Sequence, residues 1–448
     1  MTPAARVARN GTLILGGGFA GANLARLLGR RGATIVSPES SMLYTPLLPE
    51  IAAGAIEPRH AFVPLRMMCP DTEHVRGRAV TLDEAGKTVL VETADGPLLL
   101  QYERLVVALG STAHMPAIPG LNEHAIPFKN LSDATRLRNH VLQCLDAADL
   151  NPAHAEQHLT FVFAGAGYAG VEALAELMQL THDVARYYPG LRNVRQRWVL
   201  VDTGMRILKQ VPGPLGDYAT TQLRKRGVEI RLSTGVESVE EHAVTLSDGT
   251  RIETETFVWT AGVVPHPLVA QLGLPRDERG RIVVDSSLRV DSRTDVWALG
   301  DCARVPNGAT PEHPDPPTCQ HALRQARRLA NVLRGSTTPY RYRSIGEGAT
   351  LGRDRGIARM FGMCLRGLPA ALIVRAYHLK QVPVRSRRLR ILTDGLLSRI
   401  FRRDMAELGM IEGVPAWSQT SSQAVQASPV GSSSGSEHTI ATDVLRRG

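Results

Sequence analysis

The chain has 448 residues, of which 43% are hydrophobic and 21% charged, a composition that fills sizeable cores and excludes collagen-like, coiled-coil and largely disordered architectures. At about 150 residues per domain it suggests about three domains, and no apolar run reaches the ~18 residues of a membrane-spanning helix, which also removes a proton-pumping route through such helices. The net charge of +9 is concentrated in residues 375–403, with nine Arg or Lys against the single acid Asp394, so a broad nucleic-acid-binding face is excluded and one local basic element remains.

In chain order, residues 12–16 read as a short apolar strand running into a Gly-rich loop and an apolar helix over 22–28. That run is too short for a signal peptide, and no cleaved leader is expected. Further strands are expected at 34–36, 89–93, 105–109 and 281–284. The same grammar then repeats: a strand at 159–164, a Gly loop at 165–170, a helix over 171–180 and a strand at 198–201. The two units begin about 149 residues apart, Gly16 to Gly165, and strand–helix alternation implies a doubly wound parallel sheet in each. From Gly346 the elements become short and mixed, followed by a basic helix over about 385–405. From Pro415 the chain turns to Ser, Thr, Gln and Gly, which predicts a disordered tail.

Five cysteines stand at 69, 144, 302, 319 and 364, with no CxxC or CxxxxC. The odd count and wide spacing fit reduced thiols in a cytoplasmic compartment. His313 and His321 lack metal-ligand spacing, so no metal is expected. Arg outnumbers Lys 47 to 5, a bias that suggests a GC-rich bacterial gene.

Gly16-Gly17-Gly18-Phe19-Ala20-Gly21 is a GxGxxG between a strand and a helix. Its first Gly permits the tight turn, the second lets a pyrophosphate approach the backbone, and the third packs helix on strand. At the end of the next strand, where an acid would be expected, stand Ser37 and Pro38; Ser37 is the expected ribose contact and Glu39 a rim residue. Gly165-Ala166-Gly167-Tyr168-Ala169-Gly170 repeats the fingerprint. Here Asp202 closes the next strand, 32 residues after Gly170, a longer interval than the usual ~20. As a ribose ligand it would repel a 2′-phosphate and favour NAD(H) over NADP(H); as a plain turn residue it would do neither.

The strand ending in Gly300-Asp301, the run 105–110 containing Ala108 and Gly110, and Trp259-Thr260-Ala261-Gly262 follow in an order that resembles the pyridine nucleotide-disulfide oxidoreductase superfamily over about residues 10–345. Without a cysteine pair, the chain most resembles the type II NADH dehydrogenases, single-subunit NADH:quinone oxidoreductases, over about 10–408. The motifs that carry this are Leu43-Tyr44-Thr45-Pro46-Leu47-Leu48-Pro49, Gly167 to Glu172 and Pro316 to Gln325.

The resemblance implies two Rossmann-like domains with FAD and NADH as cofactors. The FAD domain would span 10–122 and 282–345, the NADH domain 123–281, a membrane-associating region 346–414 and the tail 415–448. It implies Asp301 at the ribityl and pyrophosphate region of FAD and Thr45 and Pro46 near its ring. It also places Glu172 at the acceptor side of the flavin, with the competing reading of a first-turn acid facing the helix dipole. Gln320 would line the quinone pocket. The family's quinone motif departs here: Arg324 stands at its last position and Gln325 follows, about 100° round a helix.

The implied reaction is hydride transfer from NADH to FAD, then two electrons to a membrane quinone without proton pumping. The implied place is the cytoplasmic face of a bacterial cell membrane, peripherally bound to an anionic lipid surface through Leu389, Leu392, Leu396 and Ile400 and through Arg399, Arg402 and Arg403. The same stripe could instead pack on its own domain or in a homodimer. Two rival functions are a soluble NADH-dependent reductase of a small redox protein and a non-enzymatic NADH-sensing flavoprotein.

Overall fold

The computed structural model describes residues 5–192, 194–344 and 346–408. The expected tail 415–448, and residues 409–414 of the expected membrane-associating region, lie outside these described residues.

The chain builds a first sheet, leaves it to build a second, and returns. The first is formed by β1 (Thr12–Leu15), β2 (Thr34–Ser37), β3 (Glu73–Asp83), β4 (Thr88–Thr93), β5 (Gly96–Gln101), β6 (Arg104–Val107) and, much later, β11 (Val296–Ala298). With the strand Arg6–Val7 at its edge, its order among the described residues is Arg6–Val7, β5, β4, β3, β2, β1, β6, β11. Ile14 aligns with Ile35 on one side and Val106 on the other, and Val106 with Trp297. Every residue of β1 is buried, as expected of a central parallel strand covered on both faces. The 89–93 strand sits not in the parallel part but in an antiparallel meander, β3–β4–β5.

The second sheet holds β7 (Thr160–Ala164), β8 (Arg197–Asp202), β9 (Val228–Leu232) and β10 (Thr256–Trp259), with Ile126–Pro127 at the edge, all parallel. Phe161 stacks on Trp198 across the β7–β8 pair with ring centroids 4.3 Å apart. The chain crosses between the two sheets twice. The two crossing segments, Ser111–Ala113 and Val263–Pro265, are hydrogen-bonded to each other as an antiparallel ribbon. The expected strand at 281–284 is shorter, Ile282–Val283, and pairs with Ala303–Arg304 rather than joining either large sheet.

Each sheet carries the helix that follows its Gly loop: α1 (Phe19–Leu28) on the first and α4 (Tyr168–Val184) on the second. The short α2 (Leu48–Ala52) packs on α4 and on α3 (Leu131–Leu150). Helix α3 starts at a capping box in which Asn130 and Asp133 satisfy each other's backbone N–H. Helices α5 (Gly213–Lys225) and α6 (Cys319–Val332) complete the two units.

The mixed elements after 346 form an antiparallel sheet, β12 (Gly346–Thr350), β13 (Gly356–Met360) and β14 (Met363–Arg366). Helix α7 (Gly367–Gln381) lies on it. The approach is close: a Cβ at Gly356 would stand 2.8 Å from the Ala371 nitrogen, so small residues set this packing.

The basic helix α8 (Arg385–Ile400) ends five residues earlier than expected. It is held by buried Ile391 and by Asp394, which accepts from the Glu57 N–H at 3.1 Å and pairs with His60 Nδ1 at 2.5 Å. The stripe Leu389, Leu392, Leu396 and Ile400 faces outward, with Leu389 62% and Ile400 75% exposed. Among the described residues the stripe is left largely uncovered.

One sequence expectation is overturned here. Arg403 is not a lipid-facing cation: its side chain is 3% exposed and ion-paired with Glu176 of α4, itself fully buried. Past α8 the backbone becomes extended at Phe401, and the chain turns inward as a strap. Arg138 donates to the carbonyls of Asp404 (2.7 Å) and Ala406 (2.9 Å), and Asn139 exchanges hydrogen bonds with Leu408.

Candidate active site

The two Gly loops are near copies. Gly16 and Gly165 hold φ of +110° and +109°, a region open to glycine and strained for other residues. A Cβ on Gly21 would run into the Gly16 carbonyl, and one on Gly170 into the Gly165 carbonyl, so both helices sit tight on their loops. At Gly18 and Gly167 a Cβ would meet nothing within 4 Å. Those residues are the N-caps of α1 and α4, and neither helix start receives a side-chain cap. Free N–H groups and the positive helix end therefore face open space, a cradle for a pyrophosphate at each loop.

Around the first loop, Ser37 is buried at the end of β2 beside Gly17, and Glu39 is exposed. Pro38 lies between them, half-buried. Ala108 donates its N–H to the Leu15 carbonyl at 2.8 Å, and Gly110 accepts from His266 N–H at 3.1 Å. The returning strand β11 delivers Gly300 against Ala20. Asp301 follows, accepting from Ser111 Oγ at 2.6 Å with Lys129 Nζ at 3.7 Å. Phe19 meets Tyr44 with ring centroids 5.4 Å apart, which brings the Thr45–Leu47 turn carrying Thr45 and Pro46 beside the first loop.

Around the second loop, Asp202 accepts from the Ala166 N–H and the Gly204 N–H, both at 2.6 Å. It serves the turn and the Gly loop together, half-buried at the sheet end. Gly262 (φ +96°) accepts from His114 N–H at 3.1 Å where the chain crosses back.

Glu172, in the second turn of α4, accepts from Thr350 N–H at 2.8 Å and Thr350 Oγ1 at 3.3 Å. Desolvation of the half-buried carboxyl, followed by the nearby Glu50, pushes its pKa up to about 8, against the pull of the Thr350 bonds. Gln320, at the start of α6, donates to Tyr377 Oη at 3.0 Å and accepts from Ser344 Oγ at 3.4 Å. Tyr44 Oη lies 3.4 Å from His378 Nδ1, and desolvation lowers the His378 pKa to about 4. Below Glu172, one turn along α4, Glu176 is held by Arg375 at 3.4 Å and by Arg403.

Several of these residues were not foreseen. Tyr44 lay inside a motif already singled out. Ser111, Lys129, Thr350, Tyr377 and His378 approach the site over separations of up to 334 residues, and no local pattern marks them. Gln325 was expected to point away from the quinone motif. It does, and it does other work: it accepts from Gly300 N–H at 2.7 Å and donates to Asp315 at 2.8 Å, fixing the turn that presents Asp301. Arg324 instead lies over the Tyr342 ring, 5.3 Å from its centroid. All five cysteines are free, and burial raises the thiols of Cys302 and Cys319 to about 11 and about 12. Neither has the lowered pKa of a reactive thiol.

This arrangement has counterparts among known proteins. A probable NADH dehydrogenase of Dictyostelium discoideum is 28% identical over 389 residues, covering 83% of this chain and 85% of its own. A type II NADH:quinone oxidoreductase of Mycobacterium tuberculosis is 29% identical over 395 residues, covering 83% and 84%. The solved structure of Plasmodium falciparum NDH2 in complex with NADH superposes with a TM-score of 0.82 at 16% identity, over 88% of this chain and 99% of that one. Residues 11–326, which hold both Gly loops, the paired crossings and the Gly300-Asp301 return, match the description Pyridine nucleotide-disulphide oxidoreductase, and the chain belongs to that family.

Proposed function

We propose that the chain is an FAD-dependent NADH:quinone oxidoreductase of the type II NADH dehydrogenase kind, the activity named for its relatives in Mycobacterium tuberculosis. One observation carries the reading. Two open pyrophosphate cradles stand on two sheets, and the chain returns to place Asp301 against the first of them, with no cysteine pair to take electrons onward.

The first cradle fits FAD. Gly16, Gly18 and Gly21 with the α1 N-terminus would hold its pyrophosphate, Ser37 and Asp301 its ribose and ribityl hydroxyls, and Thr45, Pro46 and Gln320 its ring. Bound there, FAD supplies two-electron transfer between nicotinamide and acceptor. Gly165, Gly167 and Gly170 with Asp202 hold NADH. Both Asp202 oxygens already take one backbone N–H, which fixes the carboxylate and leaves further lone pairs for ribose hydroxyls. Glu172 holds a proton near neutral pH and gives it to the quinone oxygen, and Gln320 with Tyr377 orients the acceptor.

The assay that tests this compares NADH oxidation by the FAD-loaded protein with a soluble quinone, ferricyanide and a small iron–sulfur protein. Quinone reduction at tens of turnovers per second or more is expected. NADH should outperform NADPH, and Asp202→Asn should narrow that preference. A rate confined to the iron–sulfur protein overturns the quinone reading, and slow turnover with every acceptor supports a sensor.

The exposed stripe on α8, with Leu368, Leu372 and Phe361 also exposed nearby in sequence, suits the interface of an anionic membrane. Arg399 and Arg402 would reach the headgroups. Among the described residues no helix is long and apolar enough to cross a membrane. Changing Leu389, Leu392, Leu396 and Ile400 to Ser should release the full chain from vesicles of anionic lipid in a flotation assay. Reduction of ferricyanide should be spared and that of a long-chain quinone in the bilayer lost. Unchanged flotation places the anchor elsewhere.

A further inference from the structure

The segment between β11 and α6 carries Asp315, whose side chain is 2% exposed. A carboxyl stays buried where donors surround it, and three do. Oδ1 accepts from Asn307 Nδ2 at 2.9 Å, and Oδ2 from Tyr340 Oη at 2.7 Å and Gln325 Nε2 at 2.8 Å. His321 Nε2 stands 3.7 Å from Oδ1.

The backbone decides which way the two amides face. An amide side chain has one accepting end and one donating end, and its partners fix the orientation. Gln325 meets the Gly300 N–H at 2.7 Å, a group that can only donate, so its oxygen faces Gly300 and its nitrogen faces Asp315. Asn307 meets the N–H groups of Ala309 at 3.0 Å and Tyr342 at 2.9 Å, so its nitrogen is turned to Asp315 and to the Tyr342 carbonyl at 2.7 Å. Both relays therefore end on one residue that accepts on each of its oxygens. The far end of the first relay is the turn at Gly300 (φ +78°), where a Cβ would stand 3.0 Å from Ala20 Cβ in the first Gly loop. Asp301 is the next residue.

We infer that Asp315 is a positioning residue for FAD: acting through the amide of Gln325, it fixes the Gly300 peptide and so holds Asp301 toward the first cradle. This rests on the FAD placement proposed above. The role needs an acceptor and not merely a side chain of this shape. With asparagine at this position, the new nitrogen opposes that of Asn307 or that of Gln325, whichever way it turns. If Gln325 turns over to meet it, the Gly300 N–H loses its acceptor.

The test follows loss of bound FAD from the loaded full chain by gel filtration and flavin absorbance. Asp315→Asn should lose FAD about tenfold faster than the parent. Gln325→Glu sets two carboxyls face to face and should be at least as damaging. The double variant Asp315→Asn, Gln325→Glu reverses the polarity of the link: the new carboxylate accepts from Gly300 and the new amide donates to it. Its FAD loss should return to within about threefold of the parent. Parent-like retention in Asp315→Asn overturns the inference, and so do losses that add in the double variant, the result for residues that merely fill space. Where a single variant folds poorly the swapped pair still decides, because recovery of fold and flavin together supports the link and no recovery overturns it. A parent chain that takes up no flavin overturns the FAD placement itself, before any substitution is made, and the inference with it.

Discussion

Glu172→Gln is expected to slow quinone reduction by about 10²-fold or more, the usual contribution of a positioned proton donor. Reduction of ferricyanide, which takes up electrons without protons, should keep its rate. The carboxyl is half-buried with Thr350 as its hydrogen-bond partner, and its pKa of about 8 leaves it protonated at neutral pH. In the unaltered protein the rate should be high below about pH 8 and fall as pH rises through that value. Stability follows the same sign. The folded-state pKa is raised, so the group's stabilising contribution is complete below its ordinary value of 4.5 and is lost as pH rises through about 8. The Gln variant should therefore lose less melting temperature than the parent between neutral and alkaline pH. Stopped-flow reoxidation by quinone and thermal scans across that range check both. Equal quinone rates for parent and variant would leave Glu172 a helix acid held by Thr350.

The largest structural effect is expected at Arg403. Arg403→Met leaves Glu176 fully buried with Arg375, at 3.4 Å, as its remaining ion-pair partner. Breaking a buried pair from one side costs about 3–5 kcal/mol, because the surviving charge stays desolvated; Arg375 favours the lower end. The same change frees the Ala53 carbonyl and loosens the strap at Asp404 and Ala406. Denaturant unfolding with FAD saturating should show the loss. The double variant Arg403→Met, Glu176→Gln should recover much of it, since the uncompensated charge is gone. A single variant as stable as the parent would mean that the strap contributes nothing to the fold.

What the sequence makes legible here follows from the range of the interactions involved. The Gly loops and their flanking strands are local: a turn at φ near +110°, an uncapped helix start and an apolar strand occupy six to ten consecutive residues, and each leaves its own pattern. Asp202 was readable as the residue ending its strand, although its service to the Ala166 and Gly204 amides was not. Gln325 shows the limit. Its spacing on α6 correctly turns it from the side bearing Gln320, but only the fold reveals Gly300 and Asp315 on the side it faces. Arg403 shows a different limit. Basic residues in a row look alike in composition, and a chain reversal after Phe401 separates Arg402, which meets solvent, from Arg403, which meets Glu176. The antiparallel position of 89–93 likewise depends on two neighbouring strands, not on its own residues.

The ribbon formed by the two crossing segments has a mechanical consequence. A lone peptide tether swivels about its single bonds, and a domain on such a tether samples many orientations. Here Ser111 to Ala113 and Val263 to Pro265 run side by side, cross-linked by backbone hydrogen bonds, so twisting one domain against the other must shear that ladder. Torsion is stiff and bending across the ribbon is the softer mode. Alignment between the nucleotide cradles of the two sheets is therefore inherited from the backbone.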